Sequence, residues 1–130
     1  MNYQTNAIIL DGFGAEETKG SHKRDIQEEL AHWEKLGQRL KQLDACPPSS
    51  VEFTAREGSL QPPEDSANVL AVINGVLDAE EDTISTYQDL VDAAEESDDP
   101  VIEDFTISIL AEKEAHRSEF RGFQKSIKND

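Results

Sequence analysis

The chain has 130 residues, 36% of them hydrophobic and 31% charged, which predicts a single soluble domain with a modest core. Its 28 acidic and 12 basic residues give a net charge of -16, so nucleic acid is not an expected partner, because phosphate binding depends on cationic side chains. No apolar run approaches the roughly 20 residues that span a bilayer, and the amino terminus lacks the basic start of a signal peptide. Cys46 is the only cysteine, which excludes an internal disulfide and favours a reducing, cytoplasmic location.

The first predicted helix covers residues 15–44. Its apolar positions recur at three- and four-residue steps, at 26, 30, 33, 36, 40 and 43, which is the spacing of one helix face. Trp33 lies on this stripe and is expected in the core. The helix ends before Pro47 and Pro48, because consecutive prolines lack amide donors and restrict the preceding residue. Residues 49–63 are predicted to be a polar linker without periodicity.

Two further long helices are predicted. One follows an N-cap at Asp65 or Ser66, carries a stripe at positions 69, 73, 76, 80, 83, 87, 90 and 94, and ends near Ser97. The other begins with Asp99 as its cap and Pro100 in its first turn, and extends to residue 127. Each of the three helices has about 25 to 30 residues and is therefore about 40 Å long, which is typical of helical bundles.

The predicted fold class is all-α, with three long helices of a four-helix bundle. Residues 7–14 are apolar but contain two glycines, so they can form only two or three helical turns. The chain is accordingly divided into a short N-terminal segment, residues 1–14, and a helical domain, residues 15–130. Three amphipathic helices without a matching fourth leave one apolar groove uncovered, and a homo-oligomer, a dimer or larger, is the simplest way to cover it.

Acidic residues are concentrated between residues 78 and 104, where there are twelve of them and neither Lys nor Arg. A solvated helix face is the ordinary explanation of such a run. Attraction of metal cations and adaptation to high salt are two alternatives that the sequence leaves open.

Ionisable residues interrupt the apolar stripes of the predicted helices. Glu80 lies on the stripe of the second helix, and Lys113 and His116 lie on that of the third. On the first helix, Glu29 and His32 are three residues apart and occupy adjoining positions of one face. A buried carboxylate is too costly to remain unpaired, so these groups are expected to meet each other, a cation or water in one interior pocket. Carboxylates and imidazoles inside a bundle are suited to iron, manganese or zinc.

These segments resemble the ferritin-like superfamily, and most closely its Dps-like archaeal and bacterial branch. Residues 28–36 (EELAHWEKL) are similar to the second bundle helix of that family, which carries a Glu-x-x-His motif. Residues 62–65 with 77–87 are similar to the third helix, which carries a single Glu, and residues 99–101 with 109–116 are similar to the fourth. The resemblance therefore implies a ferritin-like four-helix bundle whose first helix is truncated.

The resemblance also implies binding of iron, with storage or oxidation of that metal. The implied metal ligands are Glu29, His32, Glu80 and His116, with Glu112 as a further candidate. Two departures from the family pattern matter. The first bundle helix and its glutamate have no counterpart, since residues 1–14 contain no Glu, and Lys113 stands where the fourth helix has its second bridging carboxylate. A complete di-iron site is therefore not expected, because an ammonium group removes a donor and repels cations.

Two hypotheses remain open for the interior pocket. In the first, the four implied ligands bind one transition metal, assisted by Glu112 or Glu119 near His116, and ferroxidase-type activity persists. In the second, Lys113 replaces the metal in a hydrogen-bonded charge cluster, and the protein is a metal-free structural or assembly protein. A related expectation is that another polypeptide, or a swapped copy of this chain, supplies the fourth helix.

Two more side chains lie near the predicted pocket. His22 is seven residues before Glu29 on the same stripe and is expected at the surface or rim, with a substitute metal ligand as the alternative, whereas Tyr87 is expected to be a core aromatic. No phosphate-binding loop, dinucleotide-binding turn or serine elbow is present, so nucleotide and hydrolase functions are not expected.

Overall fold

The structure is a computed structural model that describes residues 1–55, 58 and 60–130. Its helices, in chain order, are α1 (Asn2–Ile9), α2 (Ala15–Gln42), α3 (Val69–Glu96) and α4 (Pro100–Lys128). These described residues contain no strand, so the prediction of an all-α fold is confirmed. The prediction of three long helices is imprecise, because the N-terminal segment forms a short helix of its own and makes the total four.

The carboxyl end of α2 comes slightly earlier than predicted. The helix ends at Gln42 rather than at residue 44, and Asp44 has a left-handed φ of 59°, which a right-handed helix does not accommodate. Of the predicted linker, Arg56, Glu57 and Ser59 lie outside the described residues.

Side chains cap the starts of α3 and α4. Asn68 is the N-cap of α3 and accepts a hydrogen bond from the backbone N–H of Ala71. The cap predicted at residue 65 or 66 is wrong, because the chain still turns through residues 66 and 67 before the helix begins. Asp99 caps α4 by accepting a hydrogen bond from the N–H of Ile102, with Pro100 in the first turn, as predicted.

The helices associate as two pairs of unequal extent. α3 and α4 form an antiparallel hairpin. Arg117 and Arg121 of α4 bind the carboxylate of Glu81 on α3, and Gln124 of α4 donates to Asn74, nearer to the start of α3. α1 packs against α2, but it has 8 residues and spans about 12 Å, whereas α2 has 28 residues and spans about 42 Å. The fourth position of the bundle is therefore filled only alongside the amino-terminal part of α2. Each helix in the described part of the chain is too short or too polar to span a bilayer.

The apolar core lies at the end of the bundle where α1 packs. Its buried side chains are Leu10, Ala15, Leu60, Val69, Val72, Ile73, Val76 and Phe120. Each fully buried Leu, Ile, Val or Phe side chain contributes about 1.5 to 3 kcal/mol. Gly75 allows the linker to approach this core, since a Cβ atom at that position would lie only 3.1 Å from the Cα of Leu60. The linker is thereby held against α3.

The face of α2 that points into the bundle is polar or small rather than apolar. Its buried residues are Ala15, Thr18, Ser21, His22, Asp25 and His32. The apolar stripe lies on a neighbouring face, where Trp33 is 64% exposed and Leu30 is 57% exposed. The expectation that Trp33 lies in the core is therefore wrong, because in the described structure α1 does not extend far enough to cover this stripe.

Candidate functional site

A histidine on α4 connects the other two long helices. Nδ1 of His116 lies 2.7 Å from Oε1 of Glu80 on α3, and Nε2 lies 2.7 Å from Oδ2 of Asp25 on α2. Both carboxylates are almost fully buried. One imidazole thus bridges two carboxylates, and it can donate to both only when both ring nitrogens carry protons.

The electrostatic surroundings favour the charged form of this histidine. Burial alone would lower the pKa of His116, but the close contacts with the carboxylates of Asp25 and Glu80, and their negative charges, outweigh burial and raise the pKa from 6.5 to about 9. Burial raises the pKa of Asp25, but the contact with His116 and the proximity of His22 bring that pKa below its ordinary value. At neutral pH the site therefore holds an imidazolium between two carboxylates.

Lys113, one helical turn before His116, forms the second ion pair of the site. Its ammonium group contacts the carboxylate of Glu29 on α2, and the lysine is buried while the glutamate is partly exposed. Burial lowers the pKa of Lys113, and the negative charges of Asp25 and Glu28 offset part of this effect. Lys113 thus lies in the interior, as its position on the apolar stripe predicted.

These two groups of ion pairs form one cluster at the centre of the bundle. We use the name charge cluster for Asp25, Glu29, Glu80, Lys113 and His116. Its three carboxylates come from α2 and α3 and its two cations from α4, so the cluster joins all three long helices.

His32 is buried but lies outside the charge cluster. Its Nε2 atom is 2.7 Å from Oε2 of Glu112, a residue that is about half exposed. Glu112, which was expected near the face of His116, thus contacts α2 through His32. Glu119, the other acidic residue expected near His116, accepts a hydrogen bond of 3.2 Å from the hydroxyl of Ser21.

His22 is fully buried, so the expectation that it lies at the surface or rim is wrong. Its ring stacks on Phe120 with centroids 5.8 Å apart and meets Tyr3 edge-on at 5.0 Å. No hydrogen bond from the described residues reaches either ring nitrogen, and Oδ2 of Asp25 lies 3.9 Å from Nδ1. The reason for the burial is that His22 lies on the polar inner face of α2, which α1 covers.

Three side chains of the site were not identified from the sequence: Asp25, Ser21 and Tyr3. The hydroxyl of Tyr3 donates to Oε1 of Glu80 at 3.2 Å, and Oγ of Ser21 lies 3.4 Å from Nε2 of His116. A signal existed for Asp25, which precedes a predicted ligand on α2 by one helical turn. Tyr3 belongs to a short helix whose docking no periodicity indicated.

The implied metal ligands are divided among separate ion pairs. These pairs are Glu29 with Lys113, Glu80 with His116, and His32 with Glu112. In the part of the chain that the structure describes, no three His, Cys, Asp or Glu side chains are grouped so that they could hold a metal ion. An ammonium group and a doubly protonated imidazole have no lone pair to donate, so the charge cluster does not fit a di-iron centre.

An apolar surface beside the charge cluster remains open to solvent. A cavity of about 610 Å³ lies between the carboxyl-terminal halves of α2 and α3, and its mostly apolar lining includes Leu36, Leu40, Leu43, Leu90, Ala93 and Ile102. A second cavity of about 390 Å³ lies nearer to α1 and is more polar, because Glu29, Glu80 and Lys113 of the charge cluster line it together with Leu30, Trp33 and Thr83. We use the name open groove for the surface formed by these two cavities.

An ion pair closes the far end of the open groove. The Nη2 atom of Arg39 on α2 donates to both carboxylate oxygens of Asp99, at 2.7 and 2.8 Å. These hydrogen bonds hold the pKa of Asp99 below its ordinary value. Because the same carboxylate caps α4, the pair ties the end of α2 to the start of α4.

The four helices and their charged interior can be compared with known protein families. Residues 1–129 match the ferritin-like domain, a range that includes α1 and the whole charge cluster. No curated protein matches the chain. A family match over nearly the entire length decides the assignment, and the chain belongs to the ferritin-like domain family.

Proposed function

We propose that this ferritin-like protein belongs to the Dps-like branch and is a metal-free structural or assembly protein, in which cations of the chain itself replace the di-iron centre. The observation that carries the proposal is the position of His116, which is held between the buried carboxylates of Asp25 and Glu80. Such carboxylates require positive charge nearby, and here the imidazolium supplies it.

The charge balance of the cluster supports this proposal. Three carboxylates face the ammonium of Lys113 and the imidazolium of His116, so most of the negative charge is already neutralised. A metal ion entering the cluster would have to displace the proton of His116 and approach a fixed ammonium group. Both steps oppose binding, the first by competition with the proton and the second by repulsion.

One buried oxygen favours a second candidate function, the binding of a single transition metal. Oε2 of Glu80 is buried and accepts no hydrogen bond from the described residues. A buried carboxylate oxygen without a partner costs about 1 to 3 kcal/mol, and a cation or a water molecule beside it would remove that cost. On this alternative one iron, manganese or zinc ion is bound by residues chosen from Glu29, His32, Glu80, Glu112 and His116, and ferroxidase-type activity becomes testable.

Anaerobic titration with ferrous iron, monitored by calorimetry and then by near-ultraviolet absorbance after air is admitted, separates the two candidates. We expect no saturable binding and no absorbance change for the unmodified protein. Lys113→Glu is the matched variant, since it removes the ammonium group and places a carboxylate three residues before His116. Binding by the variant alone would identify Lys113 as the group that excludes metal, whereas stoichiometric binding and oxidation by the unmodified protein would overturn the metal-free proposal.

We also propose that the protein acts as a homo-oligomer in the cytoplasm, or takes a fourth helix from a partner. The family supports association, because ferritin-like proteins commonly oligomerise. The exposure of Leu30 and Trp33 on one face of α2 supports the alternative of a partner helix, because these side chains form an apolar surface that a helix could cover. Sedimentation velocity on the purified protein tests this, and a monomer at all concentrations would exclude the homo-oligomer.

A further inference from the structure

The open groove has the shape and lining of a site for a helix. Apolar side chains recur at every turn from Leu30 of α2 to Leu43, the residue that follows this helix, and form one wall, and Leu90 and Ala93 of α3 belong to the other. The α2 wall extends over about 20 Å, because each residue of a helix advances 1.5 Å. A compact ligand would fill one cavity and leave the rest of this wall in water, whereas a helix of about 18 residues would cover all of it.

α1 shows that the neighbouring part of the same surface already holds a helix. Tyr3 of α1 packs edge-on against His22 of α2 and donates to Glu80 of α3, so α1 lies between the two helices that also form the walls of the open groove. Met1 lines the second cavity together with Trp33, so the open groove begins where α1 starts. The surface between α2 and α3 therefore already holds one helix at the neighbouring position.

The rim of the open groove on α3 is acidic. α3 contains eight acidic residues and no Lys or Arg. Three of the acidic residues directly precede residues that line the groove, at seven-residue intervals, and they are exposed and outside every ion pair of the described structure: Asp82, Asp89 and Glu96. A row of carboxylates on one flank favours an occupant with basic residues on the facing flank. A second copy of this chain in the groove is opposed by repulsion from its own net charge of -16, so a homo-oligomer would form through another surface.

We propose that the open groove binds an amphipathic helix of another protein, with aliphatic residues on the face that enters the groove and Lys or Arg residues along the flank that faces α3. The inference rests on the proposed role in assembly, and it does not depend on whether the charge cluster excludes metal. Its partner is thus defined by an apolar stripe about 20 Å long beside a basic edge.

The probe for this inference is a designed helical peptide of about 18 residues with a leucine stripe and lysines on one flank. The matched control carries glutamates in place of the lysines. Trp33 is the only tryptophan and is largely exposed, so its emission should shift to shorter wavelength when the lysine peptide covers the groove. We expect the glutamate peptide to bind at least about tenfold more weakly in fluorescence anisotropy, and the difference to shrink as salt is added.

Variants of the full chain locate the binding site. Leu40→Glu places a charge on the apolar wall and should weaken binding of the lysine peptide at least about tenfold, whereas Ile107→Glu, on an exposed part of α4 outside both cavities, should leave it unchanged. Circular dichroism confirms that each variant is folded.

Three outcomes would overturn the inference. They are an unchanged Trp33 emission with both peptides, equal affinity for the two peptides, and a dimer that Leu40→Glu converts to a monomer, since the last result would make a second copy the occupant. The ferrous iron titration is read separately, so failure of this inference and failure of the metal-free proposal are distinguishable.

Discussion

The two halves of α2 differ in how far neighbouring helices cover them. The amino-terminal half presents Ser21, His22 and Asp25 to the interior, and these polar residues are sealed from solvent by α1, α3 and α4. The carboxyl-terminal half presents leucines, such as Leu30 and Leu40, and they remain exposed. Burial along α2 is therefore decided by which part of this helix its neighbours cover, and not by the hydropathy of the side chains.

This difference has an energetic meaning. The sealed half must satisfy its charges internally, because an uncompensated buried charge is costly. The open half gives up the hydrophobic stabilisation that a covering helix would supply. Substitutions in the sealed half should accordingly destabilise the isolated chain strongly, and substitutions in the open half should have small effects.

The largest expected effect is that of Phe120→Ala in the sealed half. Phe120 is fully buried and packs against the rings of His22, His116 and Phe123. Removing this ring leaves a cavity, and we expect the free energy of unfolding to fall by about 3 to 5 kcal/mol in urea denaturation. Phe53→Ala, at an exposed linker position, is the control and should change stability by less than about 0.5 kcal/mol. Equal effects of the two variants would contradict the contrast between the halves.

The next effect is a pH dependence that arises from the charge cluster. The folded-state pKa of His116 is about 9 and its ordinary value is 6.5, so its contribution to stability is complete below pH 6.5 and is lost as the pH rises through 9. At about 1.4 kcal/mol per pKa unit, the free energy of unfolding should fall by about 3 kcal/mol over this interval.

Urea denaturation at a series of pH values measures this loss. His116→Gln keeps a polar side chain without a titrating group, and its stability should be lower than that of the unmodified protein at pH 6.5 and nearly constant up to pH 9. An unmodified protein with an equally flat profile would contradict the assignment of an imidazolium between Asp25 and Glu80.

A smaller effect is expected at the closed end of the open groove. Asp99→Ala removes both the N-cap of α4 and the ion pair with Arg39, and should lower the midpoint of thermal unfolding. Asp99→Asn retains a capping side chain and loses the charge, so it should recover about half of this loss. Thermal unfolding of the two variants separates the cap from the ion pair, and identical midpoints would show that the cap contributes nothing.

The smallest effect is expected for Trp33→Ala in the open half. Because Trp33 is exposed along the groove, its removal should change the free energy of unfolding by less than about 0.5 kcal/mol. Urea denaturation monitored by circular dichroism gives the value. A loss of several kcal/mol would mean that the indole is covered in solution and would remove the distinction between the two halves.

Periodicity and capping chemistry were sufficient to predict the fold class and the three long helices. The start of α4 followed from Asp99 and Pro100, and the interior positions of Glu80 and Lys113 followed from their interruption of apolar stripes. α1 could not be predicted with the same strength, because a helix of 8 residues is marginal by itself and depends on tertiary contacts.

The orientation of α2 was predicted incorrectly for a physical reason. An apolar stripe identifies a helix face, but it does not say whether another helix covers that face. His22 was therefore expected at the rim but is buried, and Trp33 was expected in the core but is exposed. Asp25 was overlooked for the same reason, since it lies on the polar face that α1 and α4 enclose.

The carboxylates of α3 make the thermal stability of the molecule depend on the salt concentration. Of the eight acidic residues on this helix, only Glu80 and Glu81 take part in the ion pairs of the described residues. The others repel one another along a single rod, and mobile counter-ions shorten the reach of that repulsion from about 10 Å at 0.1 M to about 3 Å at 1 M. Sodium chloride should therefore raise the melting temperature, because screening weakens the repulsion that destabilises the bundle in dilute buffer.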